Sequence, residues 1–143
     1  MSKIQFEFVD VAVPDLKPVF FRSWLNNVAI EEGKQIEALT YIFVRDEFLF
    51  RINSSYLDHQ ELTDIITFDY NEGISLAGDC FISFDRVKEN ALSYSDGIVY
   101  DELCRVMVHG LLHLSGHKDK SKEDGVKMRG LEEKYLNLRK RFT

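Results

Sequence analysis

Residues 109–119 read His-Gly-Leu-Leu-His-Leu-Ser-Gly-His-Lys-Asp and hold three of the chain's four histidines. His109 and His113 are four apart, so on a helix their imidazoles lie one turn apart on the same face and can share a metal ion. Gly116 offers the left-handed residue that ends a helix and lets the chain turn back. A third ligand soon after it completes a three-ligand site with an open position, the arrangement of a catalytic rather than a structural zinc. Asp119 and His117 compete for that place. Asp119 stands in register with the zincin pattern H-E-x-x-H-x-x-G-x-x-H and is preferred, whereas His117 follows immediately on the glycine. Asp119 has a second reading, as the cap of the next helix.

Two core histidines with ordinary hydrogen bonds would also explain the spacing. The neighbours weigh against that. Val106, Met107, Val108, Leu111, Leu112 and Leu114 are apolar around most of the helix, which is therefore buried. An unpaired buried imidazole costs about 1–3 kcal/mol. Arg105, one turn earlier, is a donor only and cannot accept from an imidazole. A shared cation satisfies both rings. Position 110 is glycine where a metalloprotease has the glutamate that serves as general base, which argues against peptide hydrolysis by that route.

The elements that must position these residues follow from periodicity. Ile4, Phe6 and Phe8 alternate with polar residues and predict a strand. Val19–Glu32 has helical spacing, with Phe21, Trp24, Leu25 and Val28 on its apolar face and Gly33 at its end. Ile36–Val44 predicts a second strand, Asp64–Tyr70 a third and Cys80–Phe84 a fourth. Asp46 can cap a short helix through Asn53, and Asp85 one that ends near Tyr94. The histidine helix is expected from Ser95 or Asp96 to Gly116. A last helix runs from about Ser121 to Arg139, with Val126, Met128, Leu131, Tyr135 and Leu138 as its apolar positions. Strands first and helices later predict an α+β fold, a small mixed sheet packed with helices, in one domain over residues 1–143.

The net charge is −6, yet residues 117–143 carry a local excess of basic residues that could contact phosphate. No signal-peptide pattern or membrane-length run is present, so a cytoplasmic protein is expected. Cys80 and Cys104 form no close motif and are expected as reduced, buried thiols.

At this point the chain resembles the YbeY family of bacterial endoribonucleases, whose hallmark is H-G-x-L-H-L-x-G-x-x-H. His109, Gly110, Leu112, His113, Leu114 and Gly116 match it, and Asp119 stands at its third histidine. Asn53 and Tyr56, then Thr63-Asp64-Ile65-Ile66-Thr67-Phe68, match a second block, and Gly78-Asp79 with Ile82-Ser83 a third. Two departures are Leu57, where the family has arginine, and Leu62, where it has proline. The resemblance implies a zinc-dependent, single-strand-specific endoribonuclease in late small-subunit ribosomal RNA maturation and ribosome quality control. Its metal ligands would be His109, His113 and Asp119. Its partners would be ribosomal RNA and the small subunit or assembly factors, with neither DNA nor membrane. The missing arginine leaves Arg105 and Arg51 as the nearest substitutes for a phosphate contact. Asp64 is a possible carboxylate behind an imidazole. The general base is unassigned: the nucleophile is either water at the metal or the RNA's own 2′-hydroxyl. A ribosome-assembly factor with a purely structural metal is the alternative, and a metalloprotease is disfavoured by Gly110.

Overall fold

The computed structural model describes residues 3–14, 16–56 and 63–142. Four strands form one sheet: β1 (Ile4–Phe8), β2 (Gln35–Val44), β3 (Ile65–Asp69) and β4 (Ser75–Ser83). Their order is β1-β2-β4-β3. β2 pairs in parallel with both β1 and β4, in registers that set Ile4 opposite Leu39 and Tyr41 opposite Cys80. β3 closes the sheet antiparallel to β4. The helices are α1 (Pro18–Glu31), α2 (Asp46–Tyr56), α3 (Phe84–Tyr94), α4 (Val99–Leu114) and α5 (Lys122–Asn137), followed by a short 3-10 helix, Leu138–Phe142. The fold is α+β, as the order of strands and helices implies.

Alternation along the strands divides the apolar residues between two layers. Leu39, Tyr41 and Phe43 of β2 join Leu76, Cys80 and Ile82 of β4 in the main core, with Trp24 and Leu25 of α1 and most of α4. Ile42 and Val44 face the opposite layer, where Leu49 and Ile52 of α2 and Ile66 cover the sheet. Two side-chain bonds tie the main layer together. Tyr41 donates to the carbonyl of Met107 at 2.8 Å, and the Trp24 indole donates to the carbonyl of Tyr135 at 2.9 Å. α4, the histidine helix, therefore rests on the sheet, with α1 and α5 beside it. Cys80 and Cys104 are buried free thiols, and burial pushes the Cys104 thiol up to about 11.

Several boundaries differ from the sequence expectation, each for a local reason. β4 begins at Ser75, five residues before the apolar run suggests. Ala77, Gly78 and Asp79 are poor strand formers, but pairing with β2 on one side and β3 on the other overrides propensity. α3 is capped by the Ser83 hydroxyl, which accepts from the Arg86 N–H at 3.2 Å. Asp85 instead accepts from the Asp46 N–H at 3.0 Å, a bond that holds its carboxyl below the usual range. α4 starts at Val99 rather than Ser95 or Asp96. Ser95 caps the end of α3, and Asp96 takes a left-handed φ of 52°. Val126, expected on the apolar face of α5, is 68% exposed.

Candidate metal centre

His109 and His113 sit in the last two turns of α4 with ring centroids 4.6 Å apart. Gly116 follows with φ +106°, a conformation that costs a side-chain-bearing residue dearly, and the chain reverses there. The reversal brings Asp119 back over the helix. One ligand atom from each of His109, His113 and Asp119 lies within 4.8 Å of the others, and Asp119 Oδ2 is 3.8 Å from His109 Nε2. Asp119 does not cap α5: Ser121 does, in a capping box with Asp124. The Asp119 carboxylate is thereby left to face the histidines.

His117 is held elsewhere. Its Nε2 is 2.5 Å from Glu32 Oε1 at the end of α1, and the Tyr135 hydroxyl donates to the other oxygen of the same carboxylate. This cluster ties the turn carrying Asp119 to α1 and α5. Burial pushes the Glu32 carboxyl up, but the bonds from Tyr135 and His117 outweigh it and hold the group below its ordinary value.

The partner of His109 was not foreseen. Glu132 of α5, 2% exposed, places Oε2 2.6 Å from His109 Nδ1. An ionised carboxylate only accepts, so Nδ1 donates to Glu132, and Nε2 is the nitrogen turned toward Asp119. This is the carboxylate–histidine arrangement that orients imidazoles on metals. Burial opposes ionisation of Glu132, but the His109 bond and the Arg105 charge prevail and hold its carboxyl below the ordinary value. The sequence carried one usable signal: 128, 132 and 135 share a helix stripe, and Met128 and Tyr135 are both buried.

Arg105 and Asp64 take part differently from expectation. Arg105 is nearly buried and meets three carboxylates: Glu102 at 2.5 Å, Glu132 at 3.1 Å and Asp64 at 3.6 Å. Asp64 thus faces the arginine, and Glu132 holds the place behind the imidazole. Arg51 is absent from the cleft lining, and its Nε points to the Glu47 carbonyl of its own helix at 3.5 Å. Leu57 and Leu62 lie outside the described residues. Of the basic C-terminal stretch, Arg139 pairs with Asp101 at 3.0 Å.

Gly110 faces the sheet, away from the metal donors. A Cβ there would stand 2.8 Å from Ile65 Cδ1 and 3.1 Å from Cys80 Sγ. The glycine lets α4 settle closely on β3 and β4, and a glutamate would have no room. The donors open instead into a cleft of about 960 Å³ lined by Thr63, Arg86, Tyr94, Lys118, Lys120 and Arg129 among others.

Two imidazoles and a carboxylate are ordinary zinc donors. Three such donors at 2.0–2.2 Å from one ion would lie about 3.5 Å apart, so a small inward turn of the exposed Asp119 closes the set. Among the described residues no fourth histidine, cysteine or carboxylate joins the group. A mixed α+β fold with a His-x-x-x-His helix, a third donor past a glycine turn and a polar cleft defines a compact class of candidate metal-site proteins. Comparison with known proteins gives the family. The model of the family described as Endoribonuclease YbeY matches residues 7–140, and the chain belongs to that family. It is similar to the Endoribonuclease YbeY of Cytophaga hutchinsonii, 50% identical over 120 residues and 83% of each chain. It is also similar to that of Porphyromonas gingivalis, 43% identical over 136 residues, 95% of this chain and 89% of the other. The solution structure of TM1509 from Thermotoga maritima shares the fold, with a TM-score of 0.65 at 21% identity over 94% of this chain and 87% of that one.

Proposed function

We propose that this chain is a zinc-dependent endoribonuclease that cleaves single-stranded ribosomal RNA during maturation of the small ribosomal subunit in the cytoplasm. It acts as a single domain, with the small subunit or its assembly factors as partners and without DNA or membrane. The observation that carries the reading is the convergence of His109, His113 and Asp119 at the head of a cleft bordered by cations, in a chain half identical to a protein named as an endoribonuclease. No helix of the described residues is long and apolar enough to cross a membrane.

Each residue has a defined task. His109, His113 and Asp119 would hold the ion, which when bound polarises a phosphoryl oxygen and acidifies water. Glu132 fixes the His109 tautomer, so that Nε2 is free to donate. Arg105 compensates the buried charges of Glu132 and Glu102. Ser121 keeps Asp119 from the helix end, and Glu32 with His117 anchors the turn. Three protein donors leave coordination positions for substrate, which favours catalysis over a closed structural site.

The test is chelation followed by zinc return, with single-stranded and duplex RNA as substrates. Cleavage of the single strand alone, lost with chelator and restored by zinc, is expected. A 2′,3′-cyclic phosphate at the product end assigns the attack to the RNA 2′-hydroxyl, and a linear phosphate to water. Undiminished cleavage after chelation, or none in any state, overturns the proposal.

A further inference from the structure

Phosphodiester cleavage leaves negative charge on phosphoryl oxygens, and guanidinium groups match those oxygens in a two-pronged geometry that an ammonium cannot copy. The cleft holds three arginines, and their partners differ. Arg105 is nearly buried and committed to Glu102, Glu132 and Asp64. Arg86 is engaged with Asp46 at 3.1 Å and Glu89 at 2.6 Å. Arg129, on α5, meets one carboxylate among the described residues, Glu132, at 3.9 Å, longer than a hydrogen bond, and its side chain is 45% exposed.

Arg129 is also placed. It lies three residues before Glu132 on the same helix face, so its guanidinium stands beside the carboxylate that grips His109. Its Cζ is 4.9 Å from the centroid of Tyr94, a half-exposed ring that Arg105 approaches at 4.8 Å. A guanidinium resting on an aromatic ring keeps its N–H edge free for an anion. Lys118 and Lys120 add point charges on the turn across the cleft.

From this arrangement we infer that Arg129 is the phosphate-binding guanidinium of the cleft, steadied by Tyr94, and that it holds a phosphate of the RNA strand next to the metal donors. The inference rests on the endoribonuclease reading above. It assigns to α5 a substrate contact that supplies both affinity and register, since a bidentate phosphate fixes the strand relative to His109.

The experiment measures kcat/KM on single-stranded RNA across a salt series for the zinc-loaded wild type, Arg129→Met, Arg129→Lys and Lys3→Met. Lys3 is a control on the far edge of the sheet, paired with Glu37. Arg129→Met is expected to lower kcat/KM by about tenfold to a hundredfold. It should also reduce the slope of log kcat/KM against log salt by about 0.7, the share of one phosphate contact on a single strand. Arg129→Lys should keep the salt slope while losing part of the rate, and zinc affinity should stay at the wild-type level in both variants. Arg129→Met with wild-type rate and slope, or with the same small change as Lys3→Met, overturns the inference while wild-type cleavage still stands. A wild type that cleaves no RNA fails the underlying reading instead.

Discussion

Glu132 Oε2 lies 2.6 Å from His109 Nδ1, so a buried carboxylate on α5 sets which nitrogen of a histidine on α4 faces Asp119. The same carboxylate meets Arg105 through its other oxygen at 3.1 Å. The candidate metal site is therefore built from two helices and the turn between them, with charge balance supplied from behind.

Replacing Glu132 by Gln keeps the shape and removes the charge that holds the His109 proton. Zinc affinity is expected to fall by about tenfold to a hundredfold, the usual cost of losing such a carboxylate. Competition with a chromophoric chelator measures it. Equal affinity in the variant would show that the 2.6 Å contact does not orient the ligand.

Asp119 and His117 make opposite predictions. Asp119→Ala removes a donor and should cost at least about a hundredfold in zinc affinity, because one of three protein ligands is gone. His117→Ala leaves all three donors and only loosens their turn from Glu32, so its loss should stay under about tenfold. Isothermal titration of both variants decides, and the reverse ranking would make His117 the ligand.

Gly110→Glu restores the protease-like residue at a position that faces Ile65 and Cys80. The side chain would force a carboxylate into packed apolar space, and stability should drop by more than about 3 kcal/mol. Gly110→Ala is milder: the first atom it meets is the movable end of Ile65, and better helix propensity offsets up to about 1 kcal/mol. Urea unfolding distinguishes them. A stable Gly110→Glu protein, with or without peptidase activity, would contradict the packing described for α4.

The site should also leave a pH signature when metal is chelated. Burial first, and the neighbouring His109 second, hold the His113 pKa below 6.5. The folded state then resists a proton that the unfolded chain accepts. The stability due to this difference is fully present above pH 6.5 and is lost as pH falls from there through the lowered folded value. Unfolding free energies in EDTA should therefore decline over that window more steeply for the wild type than for His113→Asn. Parallel curves would place His113 in a more watery setting than the structure gives it.

The spacing of His109, His113, Gly116 and Asp119 was legible because a helix followed by a glycine turn has few geometries. The buried stripe of α4 was legible for the same reason. Glu132 was not, since a charged residue on a charged helix reads as solvated surface until the helix is docked. Its stripe with Met128 and Tyr135 was the only hint. The neighbour of Asp64 was not legible either, since a place at a strand end says nothing of Arg105, which approaches it from α4 at 3.6 Å. The glycine at 110 signalled the absence of a protease base, but its packing purpose became visible only with Ile65 and Cys80 in place.

The most direct test is metal-dependent cleavage of single-stranded RNA by wild type and His113→Ala, compared at matched far-UV circular dichroism and equal added zinc. A correctly folded His113→Ala protein should lose at least about a thousandfold in kcat/KM, the rate equivalent of several kcal/mol of lost metal-based stabilisation. Cleavage at the wild-type rate by that variant would contradict a reaction centred on His109, His113 and Asp119.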